Sequence, residues 1–414
     1  MDPENPPRWR LHRQPDGYLL IDVASFVYVR LEALAAELYM QLASGRTLEE
    51  LARIRAVQDN LPLTEAEDLL KQILLGDPLT EAWIDPGRRE SLVITGSDRF
   101  YCPLSVSLQL TNGCNLACPF CYAASGVVRD NELSANEWIR LIERLAAMGC
   151  LTLALTGGEP TMAKGFKEIL IAASAYLENV VLFTNGYVLP ARIIQLIADL
   201  GNVSVQISVD GMEETHNRIR GGRNAFRKTI YNISQLVGRN VEVSVSLAAT
   251  SDAVPQIEEL GMLLDSLGVA NFRVGDVQPL GRATSGGNGF ELSSDRSLDV
   301  ARSMDRLAES VSNMRVFRWS GCSNTTELIT EQTDFKGEFS TPGALSWHIL
   351  SDGSVTPCQL EEAAILGNIR EDGIETIAAR SSIVKACSSA IGCTCAKYVK
   401  LAESDDIAFQ VSMP

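Results

Sequence analysis

Three cysteines, Cys114, Cys118 and Cys121, follow one another at a C-x3-C-x2-C spacing. A loop of this length can turn all three thiolates toward one centre. A structural zinc site normally has four protein ligands, whereas three thiolates on a cubane iron–sulfur cluster leave one iron free to bind a second molecule. The spacing therefore predicts a metal centre with an open position, and a zinc knuckle with a borrowed fourth ligand is the alternative.

The elements that must position this loop are strand-like apolar runs that alternate with amphipathic helical runs, a pattern typical of a parallel α/β architecture. The predicted strands are 105–111, 151–156, 180–184, 203–209, 241–248 and 271–277. Polar or glycine-rich groups follow the first four: the cysteine loop, then Gly157, Gly158 and Glu159, then Asn185, then Ser208 and Asp210. Since parallel strands end at one edge of a sheet, these groups are expected around one pocket.

The cysteine spacing, with the aromatic Phe120 just before the third cysteine, resembles the signature of radical S-adenosylmethionine (SAM) enzymes. This resemblance implies a partial (βα)6 TIM-like barrel and a 4Fe–4S cluster whose free iron binds SAM. It also implies that Glu159 and the Gly158 carbonyl receive the methionine ammonium group. Because Ser208 and Asp210 are two residues apart on a strand, they can hydrogen-bond the ribose, although Asp210 could equally cap the next helix.

The other candidate cofactor contacts are less sharply defined. Phe120 and Tyr122 offer a wall for the adenine, and Asn185 faces the pocket if its strand is correctly assigned. Arg220 is a candidate partner for a carboxylate of cofactor or peptide, with an exposed loop arginine as the alternative. Cys102 and Cys150 are expected to be small buried hydrophobes. The three histidines show no ligand spacing.

The amino-terminal region predicts a small winged-helix-like module. Residues 17–30 read as two strands around a turn, and three helical patterns follow up to residue 75, the second opened by the capping sequence Thr47-Leu-Glu-Glu. The region resembles the element that binds the leader peptide in enzymes that modify ribosomally made peptides, which implies that the leader adds as an extra strand. A DNA-binding winged helix is the alternative, but residues 31–75 are rich in Glu and Asp.

The charge of the whole chain excludes some partners. The 414 residues carry 36 Lys plus Arg against 52 Asp plus Glu, a formal charge of −16. Such a balance disfavours binding to nucleic acid or to an anionic membrane. We find no membrane span and no signal peptide in the sequence, and we expect a cytoplasmic protein.

The carboxyl-terminal region contains a second group of cysteines, namely Cys358, Cys387, Cys393 and Cys395. It also contains a predicted hairpin with Asp352 and Gly353 at the turn. The region resembles the auxiliary-cluster (SPASM/Twitch-type) module of radical peptide maturases, which implies a 2Fe–2S or 4Fe–4S auxiliary cluster on these four cysteines. Ser340 stands where that module has another cysteine. Participation of Cys322, a labile cluster and a structural zinc are the alternatives.

Taken together, the resemblance implies three domains: 1–90 for leader recognition, 100–313 for the radical SAM barrel and 314–414 for the auxiliary cluster. Phrases such as Leu108-Gln-Leu-Thr-Asn-Gly-Cys are similar to maturases that join a peptide cysteine sulfur to an α-carbon. Partners would be a precursor peptide and an electron donor such as flavodoxin or ferredoxin. Thioethers at a β- or γ-carbon, carbon–carbon crosslinks, epimerisation, or a non-catalytic metal-binding adaptor that delivers the peptide are the alternatives.

Overall fold

The computed structural model describes residues 8–74, 91–278, 280–284, 294–319, 343–358 and 365–381. The chain forms two compact units. The first runs to Cys102 and includes the short segment Ala147–Gly149, and the second contains the rest of the described chain from Pro103 onward. Within the described ranges, no helix combines the length and the apolar character needed to cross a bilayer.

The first unit is a four-stranded sheet with three helices. Its elements are β1 (Trp9–Gln14), β2 (Gly17–Asp22), β3 (Val27–Leu31), α1 (Ala33–Ala43), α2 (Leu48–Asp59), α3 (Leu63–Leu74) and β4 (Leu92–Gly96). The strand order is β3-β2-β1-β4, with β4 parallel to β1 and the other pairs antiparallel. The predicted hairpin, now β2 and β3, and the three helices are confirmed. Since β4 pairs with β1, this unit continues past residue 90.

Local chemistry explains the start of α2. The Thr47 hydroxyl accepts a hydrogen bond from the Glu50 amide at 3.2 Å, and the Glu50 carboxylate accepts one from the Thr47 amide at 2.8 Å. This reciprocal capping box satisfies two backbone donors that the first turn leaves free. The apolar side chains of the unit, among them Trp9, Leu20 and Tyr39, form one buried cluster with the helices.

The second unit is built on one large, mostly parallel sheet. Its elements are β5 (Ser105–Gln109), α4 (Ala135–Met148), β6 (Thr152–Thr156), α5 (Phe166–Tyr176), β7 (Asn179–Thr184), α6 (Ala191–Leu200), β8 (Val203–Ser208), α7 (Glu213–Arg220), α8 (Ala225–Val237), β9 (Val243–Ala249), α9 (Ile257–Ser266), β10 (Asn271–Asp276), α10 (Ser294–Ser310), β11 (Arg315–Trp319), β12 (Ser346–Ile349), β13 (Ser354–Thr356) and β14 (Gly367–Asn368). The order is β11-β10-β9-β8-β7-β6-β5-β12-β13-β14. The six predicted strands and the (βα)6 barrel pattern are confirmed, and β11 adds a further parallel strand beside β10.

Residues alternate between the two faces of this sheet. Val106 and Leu108 of β5 are fully buried, whereas Ser105 and Ser107, which alternate with them along the strand, are half-buried. On β8, Ser204 and Ser208 of the polar face are half-buried, and Gln206 between them is a buried polar residue. One face is therefore the apolar core, and the other is polar and partly open.

The carboxyl-terminal hairpin belongs to the barrel sheet. The predicted turn at Asp352 and Gly353 is confirmed, since β12 and β13 pair antiparallel across it. Strand β12 also runs parallel to β5, with Ser346 opposite Ser105. The sequence predicts a third region here without the alternation of strands and helices that marks the barrel. Strand β12 nevertheless pairs with a barrel strand, β5, that lies far earlier in the chain.

Candidate active site

The cysteine loop leaves β5 and is closed on itself by backbone hydrogen bonds. The Cys114 amide donates to the Gly126 carbonyl at 3.1 Å, and the Gly126 amide donates to the Asn112 carbonyl at 2.9 Å. The Glu132 carboxylate accepts the Asn112 amide at 2.7 Å. Cys118 is buried, whereas Cys114 and Cys121 are half-buried. The loop is thus shaped by its own backbone contacts before any metal is considered.

Arg282 braces the loop from a distant part of the chain. Its guanidinium donates to the Cys118 carbonyl at 2.8 Å and to the Ser125 carbonyl at 2.5 Å. Its backbone amide donates to the Cys121 carbonyl at 3.0 Å. Sequence reasoning missed this residue, because nothing local to Arg282 signals a contact 164 residues away.

The Gly157-Gly158 turn packs directly on the start of the cysteine loop. The Gly158 amide donates to the Thr111 carbonyl at 2.8 Å, and the Glu159 amide donates to the Gly113 carbonyl at 2.9 Å. A Cβ at Gly157 would lie 2.6 Å from the Thr111 carbonyl oxygen, and one at Gly158 would overlap the Gly113 carbonyl oxygen. Glycine is needed here because two backbones touch.

The Glu159 carboxylate is buried and heavily hydrogen-bonded. One oxygen accepts from the Thr161 hydroxyl at 2.6 Å and the Thr184 hydroxyl at 2.8 Å, and the other accepts from the Asn185 amide at 2.8 Å. Burial raises the pKa of this carboxyl, while these donors favour the ionised form. The Glu159 carboxylate therefore links the ends of β6 and β7.

Asn185 reaches the cysteine loop, as its position after β7 predicts. Its side-chain amide donates to the Asn115 side-chain oxygen at 2.8 Å and lies 4.0 Å from the Cys114 sulfur. Its own side-chain oxygen accepts the Tyr187 amide at 2.9 Å. The third strand end is thereby brought beside the first.

Asp210 and Arg220 form a buried ion pair against Cys118. The Arg220 Nε donates to an Asp210 carboxylate oxygen at 2.6 Å, and its Nη1 lies 3.6 Å from the Cys118 sulfur. The second Asp210 oxygen accepts the Ala248 amide of β9 at 2.9 Å. Burial lowers the pKa of the guanidinium, but the neighbouring anions, Asp210 first among them, raise it by more, so Arg220 is a fixed cation beside the Cys118 thiol.

Two alternatives considered for these residues are wrong. Asp210 does not cap α7, because its oxygens are taken by Arg220 and Ala248 and the residue before the helix is Met212, without a side-chain cap. Arg220 is not an exposed loop arginine, since it ends α7 and its side chain is only 12% exposed. Its charge is held next to the thiols instead.

His216 has a structural contact that the sequence did not suggest. Its Nδ1 accepts the Asp210 amide at 3.1 Å, and its ring meets Phe226 edge-on. Burial lowers the pKa of His216 to about 4, so the ring is neutral near pH 7. The neutral imidazole holds the backbone from which Asp210 projects.

Ser208, Phe120 and Tyr122 are also near the loop or the strand ends. Ser208 ends β8 and is half-buried opposite Ser246 of β9. Phe120 and Tyr122 flank Cys121 and are half-buried. Their contacts to ribose and adenine stay predictions.

The three thiols are close enough to interact electrostatically, with Cys118 buried and Cys114 and Cys121 half-buried. Three thiolates are the donor set that a cubane iron–sulfur cluster with one open iron requires. Burial raises the pKa of the Cys114 and Cys118 thiols, so metal binding must displace their protons. Arg220 offers the positive charge that a buried, anionic cluster requires.

Of the second cysteine group, the described residues include Cys358 alone. It is half-buried just after β13, and its carbonyl accepts the Thr356 hydroxyl at 3.0 Å. Cys387, Cys393 and Cys395, together with Cys322 and Ser340, lie outside the described residues. Cys102 and Cys150 are buried, as expected.

Comparison with known proteins agrees with this geometry. Residues 108–251 match the model of the radical SAM superfamily, and residues 343–396 match SPASM, described as an iron–sulfur cluster-binding domain. The second match spans all four carboxyl-terminal cysteines. The radical SAM domain binds a 4Fe–4S cluster and SAM, and the SPASM domain binds an auxiliary iron–sulfur cluster.

The chain is also similar to proteins over most of its length. It is 35% identical over 96% of its length to the sporulation killing factor maturation protein SkfB of Bacillus subtilis, of which it covers 94%. It is 27% identical to the subtilosin biosynthesis protein AlbA of the same organism, over 66% of this chain and 64% of AlbA. The fold matches Streptococcus suis SuiB bound to S-adenosylmethionine with a TM-score of 0.65 and 17% identity, over 89% of this chain and 86% of SuiB. The chain therefore belongs to the radical SAM enzymes, in the group that includes the sporulation killing factor maturation protein.

Proposed function

We propose that this enzyme matures a ribosomally made peptide by forming an intrapeptide thioether from a cysteine sulfur to an α-carbon. The observation that carries the proposal is the 35% identity over nearly the whole chain to a protein named as a peptide maturation protein. The cysteine site described above supplies the chemistry that such a reaction needs. The shared length includes both the amino-terminal unit and the second cysteine group.

When bound together, the cluster and SAM supply a 5′-deoxyadenosyl radical that removes a hydrogen atom from the peptide. Cys114, Cys118 and Cys121 would hold the cluster, and Arg220 would balance its charge. Glu159 and the Gly158 carbonyl would receive the methionine ammonium group. The half-buried serines on the open face of β5 and β8 give a polar surface on which a peptide backbone can be hydrogen-bonded.

The remaining cofactor contacts belong to the same proposal. Ser208 and Asp210 would face the ribose, and Phe120, Tyr122 and Asn185 would enclose the adenosyl part. The Asp210 oxygens already have protein donors, so a ribose hydroxyl would share them.

Residues 1–90 are proposed to recognise the leader of the precursor peptide. Strand β3 is an edge of the first sheet, and Val27 on it is 46% exposed. An open edge offers unpaired backbone groups to an incoming strand. The fold relative SuiB has been solved bound to its precursor peptide SuiA, which supports the same kind of partner here.

The domain division proposed with this function is 1–90, 100–313 and 314–414. In it, Cys358, Cys387, Cys393 and Cys395 would hold the auxiliary cluster, which would provide an acceptor for the electron released when the thioether closes. A cytoplasmic electron donor such as flavodoxin or ferredoxin supplies the electron that starts each turnover.

Exchange of one cluster ligand tests the proposal. We expect Cys118→Ala, reconstituted without oxygen and reduced with dithionite, to form no 5′-deoxyadenosine, because the cluster loses a ligand. Binding of a labelled leader peptide should be unchanged, since the first unit does not contain this loop. Cys150→Ala, a buried cysteine outside both groups, is the matched control and should keep the activity.

The mass of the product distinguishes thioether formation from epimerisation. A thioether or a carbon–carbon bond makes the peptide lighter by two hydrogen atoms, whereas epimerisation in deuterated water makes it heavier. Fragmentation by mass spectrometry then locates the bond. A peptide that exchanges one hydrogen for deuterium, and does not become lighter by two hydrogens, contradicts thioether formation.

A further inference from the structure

A cleft in the second unit opens beside the cysteine loop. It measures about 740 Å³ and is lined by Asn115, the turn at Thr161 and Met162, and the start of α6. A shallower groove of about 280 Å³, which contains Tyr187 and Lys228, shares Val188 and Pro190 with it. The two form one continuous surface, which we call the lysine cleft.

The lysine cleft is close to the cluster ligands. Asn115 directly follows Cys114 and is solvent-exposed, and its side chain accepts a hydrogen bond from Asn185 at 2.8 Å. The same Asn185 amide lies 4.0 Å from the Cys114 sulfur. A partner seated in the cleft would therefore be separated from a cluster ligand by a very short path of side chains.

The charge of the lysine cleft is opposite to that of the protein. Lys167, Arg192 and Lys228 are exposed on it, against the single carboxylate Glu168. Lys167 and Lys228 are two of the three lysines in the described part of the second unit, and the third, Lys164, lies three residues before Lys167. The whole chain carries −16. Because salt limits charge interactions to about 8 Å at physiological ionic strength, these local cations dominate what an approaching surface meets.

Two of these cations have no charged partner among the described residues, namely Lys167 and Arg192. Lys228 lies over the Tyr187 ring at 4.2 Å. Exposed apolar groups stand between them, including Val188 at 50% and Tyr231 at 60% exposure. A small apolar centre with a charged rim is typical of a protein interface, and electron-transfer encounters have the smallest interfaces.

We propose that the lysine cleft docks a small acidic one-electron carrier protein, of the flavodoxin or ferredoxin class, that reduces the enzyme. The proposal rests on the function proposed above. One electron would pass from the reduced carrier to the cluster that Cys114 would help to hold, and no bond would be made or broken in the transfer. Complementary charge raises the rate of such encounters by about 10- to 1,000-fold.

The test compares two double charge reversals in the holoenzyme. Lys167→Glu/Lys228→Glu changes the cleft, and Arg144→Glu/Arg302→Glu makes the same change in net charge at exposed residues that do not line it. The affinity for purified flavodoxin is measured directly, as is the rate of 5′-deoxyadenosine formation with reduced flavodoxin and with dithionite. Iron content confirms that each variant is loaded.

We expect the cleft variant to bind flavodoxin at least about tenfold more weakly and to lose its rate with flavodoxin in proportion. Its rate with dithionite should match the wild type, because a small reductant needs no docking surface. The control should behave as wild type, and added salt should weaken wild-type binding more than that of the cleft variant.

Two results would overturn the proposal. One is an unchanged flavodoxin affinity in the cleft variant, and the other is a loss of affinity for labelled precursor peptide in place of flavodoxin. An enzyme that needs the lysines for flavodoxin binding but forms no thioether supports the docking surface and contradicts the proposed function.

Discussion

At the residue scale, the site depends on one buried ion pair. Asp210 is fully buried and Arg220 nearly so, and the pair lies against Cys118. Removing one member of a buried pair leaves an uncompensated charge, whereas removing both is far less costly. This difference makes the pair testable without any cofactor.

We expect Asp210→Asn to lower the unfolding free energy of iron-free protein by about 3 kcal/mol, because Arg220 keeps its charge without a partner. Arg220→Gln should cost a similar amount. The double variant should be more stable than the sum of the two losses predicts, as measured by urea unfolding. Additive losses would mean that the two side chains do not interact in solution.

The sequence predicts the three candidate cluster ligands, but it does not predict the arginine contacts that hold their loop in place. Cys114, Cys118 and Cys121 are recognisable because their spacing is local. Arg220 contacts Cys118 across 102 residues and Arg282 across 164, so no local spacing signals either contact. Such contacts become visible only when the fold brings the strand ends together.

At the element scale, the backbone of the glycine turn after β6 packs directly against the backbone of the cysteine loop after β5. The structure explains the two glycines by the close approach of their backbone to Thr111 and Gly113. Close packing of this kind leaves no room for even one methyl group.

Gly158→Ala should therefore displace the cysteine loop, lower the iron bound after reconstitution and reduce the thermal unfolding midpoint. Gly126→Ala is the matched control in the same loop, because a Cβ there meets nothing within 4 Å. Iron and sulfide content per chain and a thermal melt measure both effects. Equal iron content in the two variants would contradict the packing argument.

The strands differ in how well the sequence predicts them. The six barrel strands follow from apolar runs, which a strand buried by helices on one face requires. Strand β1 escapes prediction because Arg10, His12 and Gln14 look like a solvent face but are buried. His12 is held there by the Thr95 hydroxyl at 3.0 Å and the Cys102 carbonyl at 3.2 Å, contacts from residues more than 80 positions away.

At the scale of the whole molecule, all three histidines of the chain are buried. Burial lowers the pKa of His12, His216 and His348 to about 4, below the value of 6.5 that an exposed histidine has. Below pH 6.5 the histidines of the unfolded chain bind protons, whereas those of the folded chain stay neutral until the pH approaches 4. Stability must then fall as the pH drops from about 6.5 toward 4.

His348→Gln should make this decline shallower for iron-free protein. A full proton difference at one site changes the unfolding free energy by about 1.4 kcal/mol per pH unit, so the slope is measurable by urea unfolding at several pH values. Thr356→Val, at the residue paired with His348 across β12 and β13, is the control without a titrating group. An identical slope in the two variants would contradict the burial of a neutral His348.

The pairing of β5 with β12 also orders events during synthesis. The Gln109 side chain at the end of β5 accepts a hydrogen bond from the Ser351 amide, 242 residues later. Until that late segment leaves the ribosome, the strand that precedes the cysteine loop keeps an unpaired edge, which can pair with other chains. We therefore expect completion of the sheet beside the cysteine loop to be among the last steps of folding, and a ribosome that stalls before residue 346 to leave a chain prone to aggregate.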